Sequence, residues 1–175
     1  MATTQQLNGL DLEALEHSLA LMREKPDKVR EHRWTGRVRW LGGFKARVTT
    51  RNHQFVVDEP ASVAAEDEAP TAVEYVLGAL GACLATGFVL NASLRGVEIW
   101  NLEVSLDGGT DNPLTFFGIE QQGHPGYSEI TAKLYVQADA DRDTLNEIWE
   151  QTVRTSPVAN TLSRQVKVVP ELVVM

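Results

Sequence analysis

The chain has 175 residues, enough for one domain with a hydrophobic core and too few for two domains of ordinary size. Its composition, 43% hydrophobic and 23% charged, is that of a soluble globular protein and excludes the disordered and collagen-like classes. The net charge of −8, without a cluster of Lys and Arg in the sequence, argues against nucleic acid or a membrane surface as a partner.

The single cysteine, Cys83, excludes an intrachain disulfide, and the N-terminus lacks the basic start and apolar run of a signal peptide. A reducing cytoplasm is therefore the expected location. The four histidines lack metal-ligand spacing, and neither common glycine-rich phosphate-binding motif occurs in the sequence. We expect no metal and no organic cofactor.

The first part of the chain is predicted to be helical, because apolar residues recur every three to four positions at Leu12, Leu15, Leu19 and Met22. Asp11 is a suitable N-cap, and Pro26 ends the helix because proline has no N–H to donate. We assign residues 1–32 to an N-terminal helical extension and residues 33–175 to the main domain.

Three β-strands are expected next, over residues 33–41, 44–50 and 54–57. The pair Gly42-Gly43 between the first two strands is a hairpin signal. The following segment, residues 61–69, is acidic and without an apolar pattern, so it is predicted to be a loop.

A long apolar helix is the most informative prediction. Thr71 and Glu74 have the spacing of a capping box, in which each side chain accepts a hydrogen bond from the backbone N–H of the other. Residues 75–94 then carry no charge until Arg95-Gly96 stops the run. Three polar side chains within the run, and β structure on both flanks, argue against a membrane span.

A helix that is apolar on every side must be covered on every side, and a second copy of the chain is the simplest cover. Small residues along it would let another backbone approach closely: Gly78, Ala79, Gly81, Ala82, Ala85 and Gly87. The sequence therefore predicts a homodimer.

The rest of the chain is predicted to form two strands, two helices and a closing strand, over residues 97–106, 127–137, 141–154, 157–162 and 166–169. The loop 110–126 contains Phe116 and Phe117, which either cover a pocket or pack on their own domain. Because strands and helices are segregated, we predict an α+β fold, with antiparallel sheets around a long buried central helix.

Cys83, in the middle of the apolar helix, is either an inert buried residue or a reactive thiol. A reactive thiol needs a cation or a helix N-terminus nearby, and some access for the substrate. Lys45, Arg47 and Arg51 lie on or beside the second predicted strand, and the sequence does not show which of them reaches the sulfur.

Glu74 precedes Cys83 by nine residues, which places the two side chains about 180° apart around one continuous helix. They cannot face a single pocket from the same helix. Glu74 is therefore either only a cap, or a contributor to the site of a partner subunit.

The run from Pro70 to Cys83, Pro-Thr-Ala-Val-Glu-Tyr-Val-Leu-Gly-Ala-Leu-Gly-Ala-Cys, resembles the signature helix of the OsmC/Ohr family. Residues 56–60 and 156–158 are similar to further landmarks of that family, in the same order. The stretch 117–127 resembles a subgroup that carries an N-terminal helical extension.

The resemblance implies an OsmC-like fold, an intertwined homodimer with two central helices, and thiol peroxidase activity against organic hydroperoxides in oxidative stress defence. In such enzymes a thiolate attacks the peroxide, and the resulting sulfenic acid condenses with a resolving cysteine that a thiol reductant regenerates. An arginine and a glutamate assist. Cys83 matches the peroxidatic cysteine, and Glu74 matches the glutamate.

Two departures from the family pattern stand out. Phe44 replaces the expected arginine, so that Arg47 is the nearest substitute and Lys45 the second. Ser156 replaces the resolving cysteine, and a hydroxyl cannot form a disulfide.

Two hypotheses follow. The first is a one-cysteine peroxidase, in which Cys83 acts with Arg47 and Glu74, and an external thiol is the reductant. The second is a non-catalytic family member that binds a small hydrophobic ligand at the dimer interface. For either, we predict a pocket lined by Phe44, Lys45, Phe116, Phe117 and Ser156.

Overall fold

The computed structural model describes residues 6–174. Its first elements are the short strands β1 (Gln6–Leu7) and β2 (Leu10–Asp11), the helices α1 (Leu12–Glu24) and α2 (Pro26–Arg30), and the strands β3 (Arg37–Gly42), β4 (Lys45–Thr50) and β5 (His53–Val57). The central helix α3 (Ala72–Leu94), the strands β6 (Ile99–Thr110) and β7 (Tyr127–Ala138), and the helices α4 (Arg142–Thr155) and α5 (Pro157–Leu162) follow. The predicted α+β class is confirmed.

The chain divides into two compact units. The first comprises the residues up to Gly78 together with Leu106–Thr131, and the second comprises Ala79–Ser105 together with the residues from Ala132 onward. The boundary predicted between residues 32 and 33 is a different kind of division and stays a prediction. Residues 1–5 and 175, which belong to its two ends, lie outside the described residues.

The N-terminal helix begins and ends where local chemistry predicts. The side chain of Asp11 accepts a hydrogen bond from the backbone N–H of Ala14 at 3.0 Å, which satisfies one of the free donors of the first turn of α1. Pro26 ends this helix and also begins α2, because the first turn of a helix tolerates the missing N–H.

Strands β3, β4 and β5 form an antiparallel sheet in that order. Gly42 and Gly43 have positive φ angles of 122° and 52°, which glycine adopts readily, and they form the hairpin turn predicted from the sequence. The register places Val38 beside Val48 and Val48 beside Phe55, so these three side chains share one face.

The capping box predicted at the start of α3 is confirmed. The hydroxyl of Thr71 accepts from the N–H of Glu74 at 3.2 Å, and the N–H of Thr71 donates to the Glu74 carboxylate at 2.7 Å. At the other end, Gly96 has a φ of 73°, and the N–H of Val97 donates to the carbonyl of Ala92 at 3.0 Å. This closure satisfies carbonyls that the last turn leaves free.

Helix α3 is covered along one stripe in the single chain. Its buried apolar residues follow the four-residue spacing of one helix face: Leu80, Leu84, Phe88 and Ala92. Only 22% of its most apolar window is buried, and among the described residues it is the one helix long and apolar enough to cross a membrane. Core helices of soluble proteins share this property, and the homodimer that would cover the other faces stays a prediction.

The core of the second unit forms around α3 and α4. Phe88, Ala92, Val97 and Ile148 are its buried members. The partly buried side chains around them come mainly from the inward positions of β6 and β7 and from α4: Ile99, Leu102, Leu134, Val136, Ala138, Ala140, Leu145 and Trp149. Strands β6 and β7 form a separate two-stranded sheet.

Two boundaries predicted from the sequence are wrong. Strand β6 continues to Thr110, past Gly108. A Cβ on Gly108 would lie 2.8 Å from the ring of Tyr127, so this glycine marks a close approach within the sheet and not the end of the strand. The closing strand predicted at 166–169 is absent, and residues 164–174 contain neither helix nor strand. Val168 is 81% exposed, so this segment has nothing to pack against in the single chain.

Candidate functional site

The candidate site lies in the second unit, where α3 faces α4. Cys83 and Gly87 are one helical turn apart on α3, and they lie opposite Ser156 and Thr152 respectively. A Cβ on Gly87 would be 3.1 Å from Cγ2 of Thr152. The small residue at 87, predicted to admit another subunit, therefore admits α4 of the same chain.

A polar contact one turn further along holds the two helices together. Nδ2 of Asn91 donates to the hydroxyl of Thr152 at 3.0 Å and to the carbonyl of Gly87 at 2.9 Å. Thr152 is fully buried, and its hydroxyl donates to the carbonyl of Ile148 at 2.8 Å. Because these buried polar groups are satisfied, the packing opposite Cys83 is well defined.

Ser156 lies at the junction between α4 and α5 and is the N-cap of α5. Its hydroxyl accepts from the N–H of Ala159 at 3.2 Å, and Pro157 occupies the first helical position. Its carbonyl accepts from the side chain of Asn160 at 2.9 Å. Ser156 is 4% exposed, so its polar groups depend on these protein partners and not on solvent.

The Cys83 sulfur lies 3.2 Å from the Ser156 hydroxyl oxygen, within hydrogen-bond distance. A hydroxyl has one hydrogen to donate and two lone pairs, and one lone pair of Ser156 already faces the N–H of Ala159. Its hydrogen is free to point at the sulfur, which suits a thiolate. Cys83 is half-buried, so the sulfur is neither sealed in the core nor fully exposed.

Lys45, one of the predicted cations, is held in the first unit by carboxylates. Its ammonium group contacts Glu66 and donates to Glu68 at 2.6 Å. The hydrogen bonds to Glu66 and then to Glu68 raise the pKa of Lys45 above its usual range. The charge of Lys45 is therefore already partnered within its own unit.

Buried Asp58 organises the loop that supplies these carboxylates. It accepts from the N–H of Glu59 at 2.9 Å and from the N–H of Glu68 at 3.2 Å. These two backbone hydrogen bonds, with a smaller contribution from the charge of Lys45, lower the pKa of the Asp58 carboxyl. The arrangement fixes the segment that the sequence predicted to be an unpatterned loop.

Phe44 and Lys45 line a cavity of about 360 Å³ in the first unit, together with Leu41, Gly42, Gly43, Asp58, Ala64, Ala65 and Glu66. Phe116 and Phe117 contact each other, with their ring centroids 5.2 Å apart, and neither lines this cavity. The pocket predicted to join these residues to Ser156 stays a prediction.

Arg47 lies on the face of the β3–β5 sheet that is opposite the Phe55 face. It pairs with Arg39 on one side and with Val56 on the other. Tyr75, in the first turn of α3, packs on Phe55 with ring centroids 4.6 Å apart. Within the first unit, Arg47 therefore points away from the face that α3 contacts, and its predicted role beside a thiolate stays a prediction.

Glu74 is exposed, and its carboxylate accepts from the N–H of Thr71 as part of the capping box. One residue earlier, the carbonyl of Val73 accepts from the Tyr127 hydroxyl at 2.9 Å. Burial, and then the charge of Glu74, raise the pKa of Tyr127. The geometry supports the capping role of Glu74, whereas its predicted catalytic role stays untested.

Glu74→Gln separates these two roles. Because glutamine also fits the capping box, we expect the free energy of unfolding to fall by less than about 1 kcal/mol, and the hydroperoxide turnover that the family resemblance implies to persist. Glu74→Ala, which removes the acceptor, is expected to lose about 1 kcal/mol. Denaturant unfolding and a peroxide assay check both variants. A folded Glu74→Gln protein without turnover would assign the carboxylate to the chemistry.

Within residues 6–174, no group of three or more His, Cys, Asp or Glu side chains is placed to hold a metal ion.

A further open groove of about 570 Å³ lies beside β7 and α4 in the second unit, and Cys83 and Ser156 are not among its lining residues. Among the described residues, we therefore take Cys83 and Ser156, which are in hydrogen-bond contact, as the candidate site.

Comparison with known proteins identifies the family of the chain. The family model described as OsmC-like protein matches residues 65–171, which include α3, Cys83 and Ser156. The chain belongs to the OsmC-like protein family. A search of curated proteins found no match.

Solved structures of this family have the same fold at low sequence identity. An OsmC-like protein from Mycoplasma pneumoniae is 17% identical, with a TM-score of 0.64 over 76% of this chain and 89% of that one. An OsmC-like protein from Vibrio cholerae is 10% identical, with a TM-score of 0.62 over 74% and 93%. An organic hydroperoxide resistance protein OsmC from Legionella pneumophila is 10% identical, with a TM-score of 0.57 over 75% and 90%. The predicted OsmC-like fold is confirmed.

The side chains that hold the site in place were missed by sequence reasoning. Thr152 and Asn91 join α3 to α4, although neither is unusual in its own helix. The available signal was that Asn91 lies about two turns after Cys83, within a run that carries no charge and whose other polar side chains beyond Cys83 are the smaller Thr86 and Ser93.

Proposed function

We propose that this OsmC-like protein reduces small organic hydroperoxides in the cytoplasm, with Cys83 as the reacting thiol and an external thiol as the reductant. The contact of 3.2 Å between the Cys83 sulfur and the Ser156 hydroxyl carries the proposal. It places a hydroxyl within hydrogen-bond distance of a half-buried sulfur, in a family that includes an organic hydroperoxide resistance protein of the same fold.

The proposed reaction has an oxidation step at Cys83 and a reduction step that uses two external thiols. Cys83 loses a proton to solvent, and the thiolate attacks the hydroxyl-bearing oxygen of the hydroperoxide. The O–O bond breaks, and the alkoxide takes a proton back from solvent to leave as an alcohol. The sulfur is oxidised to sulfenic acid, and the peroxide is reduced. One external thiol then forms a mixed disulfide with Cys83 and releases water. A second thiol restores Cys83 and leaves as the oxidised disulfide.

Ser156 makes an external thiol necessary. It occupies the position that the family resemblance gives to a resolving cysteine, 3.2 Å from the Cys83 sulfur, but a hydroxyl cannot form a disulfide. The hydroxyl instead keeps its hydrogen bond to Cys83. Between peroxide attack and reduction, the sulfenic acid therefore has no partner thiol of its own chain.

Trapping of the intermediate tests the proposal. Protein treated with one equivalent of cumene hydroperoxide, and then with dimedone, is expected to carry the sulfenate adduct on the peptide that contains Cys83. Peptide mass spectrometry measures the modified fraction, with Cys83→Ser as the matched control. An unmodified thiol after this treatment would refute the peroxidase and leave the non-catalytic ligand-binding alternative.

A further inference from the structure

Three exposed arginines lie together on the face of the β3–β5 sheet that is opposite Phe55. Arg39 of β3 is directly opposite Arg47 of β4, and Arg37 lies two residues before Arg39 on the same face. Residues two positions apart on a strand are separated by about 7 Å, and the side chains of directly opposite residues begin about 5 Å apart. The three guanidinium groups can therefore reach a single small ligand.

The paired positions around these arginines carry no acidic residue. They form two rows across the sheet: Arg37, Thr49 and Gln54 in one, and Arg39, Arg47 and Val56 in the other. None of the ion pairs found in residues 6–174 involves the three arginines. The next cation along the same face of β4, Lys45, engages Glu66 and Glu68 itself. Because like charges directly opposite each other destabilise a sheet, an anion bound here would offset an uncompensated repulsion.

The net charge of the chain decides which kind of anion fits. At −8, the molecule outside these arginines is strongly acidic, and it repels a long polyanion such as nucleic acid or an anionic membrane surface. The ligand must therefore carry its negative charge within the short length of the arginine cluster. A planar guanidinium group binds a phosphoryl group through two parallel hydrogen bonds, and a short chain of linked phosphoryl groups offers such oxygens to each arginine in turn.

We propose that Arg37, Arg39 and Arg47 bind a short chain of inorganic polyphosphate. Each guanidinium group donates to a phosphoryl group of the chain. The hydroxyl of Thr49 and the side-chain amide of Gln54, in the same row as Arg37, are neutral donors for the end of the chain beside them. The residues to which we assign hydroperoxide chemistry take no part, so this site goes beyond the proposed function.

Titration calorimetry with inorganic tripolyphosphate, at fixed ionic strength and without divalent cations, tests the site. We expect the wild-type protein to bind tripolyphosphate at least ~10-fold more tightly than orthophosphate, because only the longer anion reaches all three arginines. ATP, which carries the same chain on a nucleoside, is expected to bind no more tightly than tripolyphosphate. Absent binding, equal affinity for orthophosphate, or tighter binding of ATP or of a single-stranded oligonucleotide would each overturn the proposal.

Two variants locate the binding on the sheet. Arg39→Gln with Arg47→Gln removes two of the cations, and we expect tripolyphosphate to bind at least ~30-fold more weakly, since each charge-assisted contact contributes on the order of tenfold. Its melting temperature without ligand should be no lower than that of the wild type, because the repulsion between opposite arginines is relieved. Arg37→Gln alone, at the edge of the sheet, is expected to lose about tenfold in affinity.

The matched control is Arg23→Gln with Lys28→Gln, which makes the same change in net charge at exposed positions of α1 and α2. This control should keep the wild-type affinity for tripolyphosphate. Unchanged binding in both sheet variants, or an equal loss in the control, would overturn the assignment to these arginines. The outcome is independent of Cys83, because an unreactive thiol would refute the proposed function alone.

Discussion

Ser156→Cys is expected to form a disulfide with Cys83 when the protein is treated with one equivalent of hydroperoxide. The oxygen of Ser156 lies 3.2 Å from the Cys83 sulfur, so a sulfur at that position needs only a small shift to reach bonding distance. The sulfenic acid formed on Cys83 then condenses with the new thiol and releases water. Thiol titration should fall from two groups per chain to none.

This disulfide should also stabilise the protein strongly. It joins residues 73 positions apart, and closing a loop of that length in the unfolded chain is worth about 4 kcal/mol in the chain-entropy model. Denaturant unfolding of the oxidised and reduced variant measures the difference. Ser163→Cys, an exposed position just after α5, is the control that should form no disulfide and keep its original stability. A sulfenic acid on Cys83 that persists beside a free thiol in oxidised Ser156→Cys would contradict the observed geometry.

The parts of the fold that depend on neighbouring residues were predictable from the sequence. Asp11 and the Thr71–Glu74 pair cap helices as predicted, because each cap is a hydrogen bond between residues three positions apart. The hairpin at Gly42-Gly43 is equally local. Such signals need no knowledge of the rest of the chain.

Contacts between residues that are far apart in the sequence were harder to predict. The carboxylates that hold Lys45 lie more than twenty residues away in an acidic segment without an apolar pattern, so nothing in the sequence pairs them. As a result, Lys45 remained a candidate partner for the thiol. For Ser156, only the family resemblance connected it with Cys83, and the hydrogen bond between them required the packing of α3 on α4.

Arg47 illustrates a further limit of sequence reasoning. The sequence shows that Arg47 and Val48 lie on opposite faces of β4. It does not show which of these two faces packs against α3. That side is set by the contact between Phe55 and Tyr75, which are twenty residues apart and in elements of different type. The sequence alone therefore could not place the arginine relative to the helix.

Cys83→Ser is expected to lower the rate of hydroperoxide reduction by at least ~10³-fold, because no other residue of the chain supplies a thiol. Serine keeps the size of the side chain and a hydrogen bond with Ser156, so the fold should be retained. Its hydroxyl is a far weaker nucleophile than a thiolate at neutral pH. Circular dichroism and denaturant unfolding of the variant check that lost turnover reflects lost chemistry.

The decisive measurement is the consumption of cumene hydroperoxide by the wild-type protein in the presence of a small thiol, compared with Cys83→Ser under the same conditions. We predict sustained consumption by the wild type, with one oxidised thiol pair formed for each peroxide lost, and a rate for the variant equal to that of thiol alone. Equal rates for the two proteins would contradict the proposal that Cys83 is the reacting group.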